Sequence, residues 1–233
     1  RDLVRSRGLG DVYKRQAYDY FKDKRYLECA RRTAAYLERE LIDKADYFSS
    51  TLDANCEDKE ASLYASTAMY YLTYVTKGKE REHYMDLCRK AAYVALTWYY
   101  TWDVPFAPGQ MLGEVGFQSR GWGNVSVENN HIDVYIFEFA TVLDRLGEYY
   151  GEQRFTDFAA VMQTSMLQLL PTKDHMYSMG RMGYYPEVVQ HTTWDYGQNG
   201  KGFFNTIFAP GWTVASLWQM LSPERTDTFF AKR

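Results

Sequence analysis

Apolar residues recur at helical spacing along most of the chain from Tyr18 onward. An amphipathic helix brings side chains three and four residues apart onto one face, whereas a half-buried strand alternates apolar and polar residues. Alternating runs are scarce, and the first proline is Pro105, so helices are rarely interrupted before it. The pattern predicts an all-α fold with helices at residues 24–42, 58–76, 81–102, 131–149 and 153–170 and another starting near residue 212.

The connections between these helices fall into two classes of length. Short turns follow Thr76 and Tyr150, as expected between antiparallel helical neighbours. The other connections are long, and a loop beyond about 12–15 residues in a compact domain is usually functional or disordered. Their many aromatic residues argue against disorder. The long loops cover residues 43–57, 103–130 and 171–211.

A weak internal repeat indicates that the long loops share one end of the molecule. The second helix of each predicted hairpin opens with an aromatic residue, followed two positions later by an acidic one, at Tyr26, Tyr84 and Phe155. Successive copies are separated by one helical hairpin and one long loop, so the helices alternate in direction. The unequal loops distinguish this pattern from a tetratricopeptide array, whose period is about 34 residues.

This arrangement resembles the six-hairpin (α/α)6 toroid glycosidases and their relatives, in which two concentric rings of helices surround the substrate. The resemblance covers residues 17–233, about half of such a ring, and implies an incomplete α/α toroid of catalytic type. In that family the substrate lies where the long loops meet the N-termini of the inner helices. The resemblance places those N-termini near Asp58, His131 and Trp212.

Residues 1–16 are basic and interrupted by glycines, and they lack the apolar core of a secretory signal. They resemble the translated linker sequences found at the ends of environmental-assembly fragments. We therefore expect a non-native leader there, and we predict the fold for residues 17–233 as one domain. Localisation is left open for the same reason.

Composition and charge limit the partners of the chain. A net charge of −3 and a pI near 5.9 argue against nucleic acid and anionic membranes, which favour basic stripes. No apolar run approaches the roughly 20 residues of a membrane span. The expected partner is a carbohydrate substrate, and the oligomeric state stays open.

Metal ions and nucleotide cofactors are not expected. The four histidines are scattered, and the chain has no Cys-x-x-Cys or His-x-x-x-His spacing. Its glycine-rich stretch at residues 197–202 lacks the spacing of a phosphate-binding loop. The cysteines are expected to serve as small structural residues, at positions Cys29, Cys56 and Cys88.

Carboxylates at the predicted loop ends provide the candidate catalytic groups. Asp58 starts one inner helix, and Glu128 and Asp133 lie at the start of the next. Glycoside hydrolysis uses one carboxyl group to protonate the leaving oxygen and a second as base or nucleophile. We therefore predict a pair of Asp58 with Glu128 or Asp133, although acids in a first helical turn also serve as caps. The resemblance favours an inverting reaction.

Aromatic and hydrogen-bonding residues at the same loop ends are the candidates for substrate binding. Flat ring faces pack against sugar rings, and amides bond sugar hydroxyls. Arg120 offers a bidentate partner for a carboxylate, which suggests a uronic-acid unit. Trp122 lies between two glycines and is expected to present its indole at a surface. The remaining candidates are Asn129, Asn130, His131, His191, Trp194, Asp195 and Trp212.

Other functions fit the same pattern. A sugar epimerase or isomerase of the N-acylglucosamine 2-epimerase kind would use His131 and His191 for proton transfer. A noncatalytic helical binding module is a further alternative, because the chain has 21 tyrosines and aromatic residues are also enriched at interfaces. A lyase would need a tyrosine such as Tyr185 or Tyr196 as its proton donor.

Overall fold

The computed structural model describes residues 7–50, 55–106, 108–127, 131–176, 182–185, 189 and 210–222. Most of the chain is helical and the strands are few and short, which confirms the predicted all-α character. The ring arrangement of a toroid stays a prediction. The chain forms two compact units, the first from residues 1–97 with 126–128 and the second from residues 98–125 with 129–233.

The first unit is built from two helical hairpins. Helices α1 and α2 pack together, as do α3 and α4, and α1 also contacts α3. A π-helical turn, Glu38–Ile42, continues α2, so that the two together match the predicted helix at 24–42. The elements are α1 (Arg7–Phe21), α2 (Lys24–Leu37), β1 (Phe48–Ser50), β2 (Asn55–Glu57), α3 (Lys59–Leu72) and α4 (Gly78–Leu96), with β1 and β2 antiparallel.

Helix α3 is buried along nearly its whole length. Its alanines Ala65 and Ala68 are both 1% exposed, as expected for a face that meets neighbouring helices closely. Ser66 is also fully buried, and its Oγ donates a hydrogen bond to the Cys88 carbonyl of α4 at 3.1 Å. The buried hydroxyls of Ser62 and Thr67 also bond carbonyls, and these hydrogen bonds offset the cost of burying polar groups in α3.

Helix α1 lies where the sequence predicted no helix. Residues 7–16 of the expected leader form its first part. Arg15 is buried, and its guanidinium lies over the rings of Tyr71 and Tyr74 at 5.6 and 5.3 Å from their centroids. Cation–π contacts of this kind attract a cation to the negative face of the ring, so they help to hold α1 against α3.

The second unit combines a helical hairpin with short paired segments. Helices α6 and α7 form the hairpin, closed by Gly151 in the left-handed conformation at φ 67°, and α8 contacts α6. Strands β3 and β4 are antiparallel, with Gly123 opposite Asp133. The elements are α5 (Met111–Glu114), β3 (Gly123–Asn124), β4 (Ile132–Asp133), α6 (Phe139–Tyr150), α7 (Gln153–Ser165) and α8 (Pro210–Leu221).

Two predicted helix boundaries are wrong for a common reason. The helix expected from residue 131 begins only at Phe139, because Ile132 pairs with β3 and also with Val189, whose carbonyl accepts its amide at 3.0 Å. The helix expected to reach residue 102 ends at Leu96, and the Tyr100 amide then bonds the Trp122 carbonyl at 2.9 Å. These backbone bonds join distant segments, so local periodicity does not reveal them. None of the helices in the described ranges is long and apolar enough to cross a bilayer.

We expect Ala68→Leu to destabilise the protein by about 1–3 kcal/mol, because added methylenes must displace packed neighbours around α3. Ala35→Leu on the exposed side of α2 is the matched control and should change stability by less than about 0.5 kcal/mol. Urea unfolding of both variants measures the difference. Equal free energies of unfolding would contradict the buried position of Ala68.

Candidate functional site

Three half-buried aromatic rings lie together in the second unit. Tyr135 and Phe137 meet edge to face with centroids 4.5 Å apart, and Tyr135 meets Trp212 at 4.9 Å. We call Tyr135, Phe137 and Trp212 the aromatic cluster. Trp212 was predicted from the sequence, whereas Tyr135 and Phe137 were not. Their signal was an alternating aromatic pair directly after Asp133, within what was predicted to be a helix.

The turn at residues 133–138 carries two of these rings. Asp133 opens it, is 3% exposed, and accepts a hydrogen bond from the Tyr135 amide at 3.0 Å. Phe137 has φ 38°, a left-handed conformation that is rare for a bulky side chain. Such a conformation costs about 1–3 kcal/mol and persists only where neighbouring contacts impose it.

Helix α8 supplies those contacts from one face. Trp212, Ser216 and Gln219 are spaced four and three residues apart, so they share a side of the helix. The Ser216 hydroxyl is fully buried, donates to the Val134 carbonyl at 2.7 Å and accepts from the Phe137 amide at 3.3 Å. Gln219 Nε2 donates to Glu138 Oε1 at the end of the turn. One helical face therefore contacts the turn from its start to its end.

Asp58 caps a helix, which is the structural alternative to the catalytic role predicted for it. It lies in the first unit as the N-cap of α3, where its Oδ1 accepts from the Glu60 amide at 2.7 Å. Asp133 belongs to the second unit, so a pair of Asp58 with Asp133 stays a prediction. Glu128, the other predicted partner, lies outside the described residues, as do Asn129, Asn130, His191, Trp194 and Asp195.

The indole of Trp122 is in the core and not at a surface, which corrects the expectation from its flanking glycines. The side chain is 0% exposed, and its Nε1 donates to the Ser165 carbonyl at 3.1 Å. The glycines allow this burial: a Cβ at Gly123 would stand 2.9 Å from the Tyr99 ring, and Gly121 has φ 83°. The glycines are therefore explained by close packing around a buried indole and not by its exposure at a surface.

Two further binding candidates have observed neighbours in the second unit. Arg120 is exposed and bonds Asp103 twice, through Nε to Oδ2 at 2.9 Å and through its amide to Oδ1 at 3.1 Å. A uronate would therefore compete with Asp103 for this guanidinium. His131 is half-buried, and its carbonyl accepts from the Val125 amide at 3.1 Å.

Glu57 of the first unit belongs to the run of acidic residues before α3 but was not among the residues predicted for the site. Both carboxylate oxygens of Glu57 accept from the Tyr47 amide, at 3.1 and 3.0 Å. Burial raises the pKa of Glu57, the Tyr47 amide opposes that shift, and a hydrogen bond with Asp46 and the charges of Asp46 and Asp58 add to it. Tyr47 is itself 0% exposed, and burial followed by nearby carboxylates raises its pKa.

Among the residues that the structure describes, no group of three or more histidine, cysteine or acidic side chains is placed to hold a metal ion. The cysteines are free thiols, and burial raises the pKa of Cys88 to about 12. Comparisons of the chain with protein-family models, with curated proteins and with solved structures find no match.

We expect the stability of the protein to fall, relative to a Glu57→Gln variant, as the pH rises from about 4 to about 7. A carboxyl group whose pKa is raised by folding stabilises the native state below its unfolded pKa of about 4.3 and loses that contribution as the pH passes the folded value. Urea unfolding at several pH values measures the difference.

The matched control is Glu82→Gln, at an exposed glutamate of α4 in the same unit. Its free energy of unfolding should follow that of the parent protein across this pH range. If Glu57→Gln also runs parallel to the parent protein, Glu57 does not bind a proton more tightly in the folded state.

Proposed function

We propose that this chain acts on a carbohydrate as a glycoside hydrolase-like protein, with a sugar-binding site at the aromatic cluster of the second unit. The observation that carries the proposal is the half-buried aromatic cluster, two of whose rings lie on the turn that Asp133 opens, with the Asp133 carboxylate bonded to the Tyr135 amide. Partly exposed rings offer flat apolar faces to sugar C–H groups, and a carboxylate accepts hydrogen bonds from sugar hydroxyls. The ring of helical hairpins of the six-hairpin kind is part of this proposal.

The chemistry that fits this site is hydrolysis with two carboxyl groups. Asp133 is the candidate in the described part of the second unit, and the Tyr135 amide fixes its orientation. A carboxyl group held in one orientation suits acid–base chemistry because no entropy is lost in orienting it against a bound sugar. Asp58 and Glu128 stay candidates for the partner.

A noncatalytic module that binds sugars is the second candidate, and the same cluster favours it. The two functions differ in one measurable respect: a hydrolase releases new reducing ends, and a binding module does not. The epimerase alternative depends on His131 together with His191, and the latter lies outside the described residues.

We expect Trp212→Ala to weaken polysaccharide binding at least about tenfold, because it removes one ring of the cluster, and tenfold corresponds to about 1.4 kcal/mol. Trp218→Ala is the matched control, since Trp218 lies on the same helix and is 64% exposed, away from the cluster contacts. The measurement is retardation in native gels that contain soluble xylan, β-glucan, arabinan or polygalacturonate. Circular dichroism confirms that both variants are folded.

The panel of polysaccharides also separates the substrate classes. Retardation by polygalacturonate, lost in Arg120→Gln, would support the expected uronic-acid unit. A wild-type protein that none of the four polymers retards, or a Trp218→Ala variant that loses binding while Trp212→Ala keeps it, would contradict the proposed site.

A further inference from the structure

Phe137 stands at the second position of a tight turn of four residues, 136–139. The Phe139 amide donates to the Ile136 carbonyl at 2.7 Å and closes the turn. Phe137 has φ 38°, and Glu138 after it has φ −79° and ψ −4°. A positive φ followed by a negative one matches the signs of a type II′ turn, where glycine dominates the second position. The backbone therefore favours glycine where the chain has a phenylalanine.

Two other residues of the described chain, apart from glycines, also have a positive φ, and neither carries a ring. Lys22 has φ 57° and is exposed, and its amine pairs with Asp19 at 2.8 Å. Ala45 has φ 50°, is also exposed, and has no side chain beyond Cβ. Phe137 combines a positive φ with a bulky, half-buried side chain. For a bulky residue this conformation is unusual, and strained residues of this kind cluster at binding and catalytic sites.

The turn is closed and anchored by groups other than the ring of Phe137. Its anchor is the hydrogen bond from the Phe137 amide to the Ser216 hydroxyl at 3.3 Å, and every residue except proline has that amide. The side chains on either side fill the core, since Ile136 is 1% exposed and Phe139 is 0% exposed. The Phe137 ring stays half-buried and meets the ring of Tyr135. The backbone and the neighbouring side chains therefore hold the turn, and the ring remains available to a ligand.

The ring planes of the aromatic cluster limit which ligands can touch several rings together. The planes of Phe137 and Tyr135 stand at 82°, and those of Tyr135 and Trp212 stand at 63°. A crystalline polysaccharide presents a flat face, so rings that bind it together must share one plane. Tyr135 shares a plane with neither neighbour. A single chain in solution can turn successive sugar units toward differently oriented rings, so these angles favour a soluble chain.

We propose that Phe137 is a sugar-binding residue of the aromatic cluster and that the cluster takes a soluble polysaccharide chain, an inference that rests on the proposed function. The ring supplies an apolar face for the C–H groups of one sugar unit, beside the ring of Tyr135. The positive φ of Phe137 lowers the stability of the native state, and the turn tolerates it because Ser216 holds the backbone. Stability and binding therefore make opposite demands at this one position.

The first test compares Phe137→Gly with Phe137→Ala, which both remove the ring and differ in their tolerance of a positive φ. We expect the urea midpoint of the glycine variant to lie above that of the alanine variant, because glycine adopts a positive φ without steric strain. At an ordinary helical position the order is reversed. Glu148→Gly and Glu148→Ala, at an exposed residue of α6, are the matched control pair and should show that reversed order.

Binding is measured by retardation in native gels with the four polysaccharides used for Trp212→Ala. Phe137→Gly and Phe137→Ala should both bind at least about tenfold more weakly than the parent protein. Phe137→Leu keeps apolar bulk without a flat face and should also bind weakly, whereas Phe137→Tyr restores a ring and should recover binding to within about twofold. Ala45→Gly relieves a positive φ in the first unit and should leave binding unchanged.

The class of ligand has its own measurement, which is sedimentation with microcrystalline cellulose. The parent protein should stay in the supernatant, because its rings do not lie in the single plane that a crystal face requires. Cosedimentation of the parent protein would overturn the preference for a soluble chain.

The outcomes separate this inference from the proposed function. Retardation that is lost in Trp212→Ala but kept in Phe137→Gly and Phe137→Leu would overturn the role of Phe137 and leave a carbohydrate-binding site. A Phe137→Gly variant that fails to fold, or that unfolds at lower urea than Phe137→Ala, would also overturn the inference, because the fold would then need the ring or the turn would carry no strain. A parent protein that none of the four polymers retards would overturn the proposed function and this inference together.

Discussion

The hydroxyl of Ser216 is the contact on which the candidate site depends. It is fully buried and bonds both the Val134 carbonyl and the Phe137 amide, one as donor and one as acceptor. The Val134 carbonyl also accepts from the Ile136 amide at 2.9 Å, so the Ser216 hydroxyl is its second partner and is at the same time the acceptor of the Phe137 amide. Losing the acceptor of a buried backbone amide costs about 1–3 kcal/mol, so this side chain helps to hold the left-handed conformation of Phe137. The aromatic cluster takes its geometry from this turn.

Four described helices have an acidic N-cap residue, and these residues have different partners; Glu152 of α7, for example, pairs with Arg154 and makes no capping hydrogen bond. The carboxylates of Asp23 and Asp58 accept from backbone amides of their own helices and stabilise the first turn. The longer side chain of Glu138 reaches Gln219 on another helix instead. The difference follows from side-chain length and from the presence of an amide donor across the turn. An acid at a helix start is therefore informative about function only when its partner is known.

Tertiary contacts, and not the local sequence, decide which aromatic residues are buried and which stay partly exposed. Trp122 packs against Phe117 at 5.2 Å between centroids and stacks on Tyr185, so it stabilises the interior of the second unit. Trp212 meets Tyr135 alone among the described rings and stays half-buried. Both tryptophans follow a glycine, and only the folded chain shows which of the two indoles is fully buried.

The helical character and most helix positions of the described chain follow from local sequence. The periodicity located α2 with its π-helical turn, α3 and α7, because the spacing of apolar side chains within one helix is a local property. Tertiary structure alone decided where α6 begins, since Ile132 exchanges backbone hydrogen bonds with Val189, far along the chain. It also decided the site: Trp212 and Asp133 were evident as candidates, but the contact of α8 with the turn at residues 133–138 joins segments about 80 residues apart. No local pattern records which distant groups will satisfy a buried hydroxyl or carbonyl, and those pairings set both the turn and the rings that it carries.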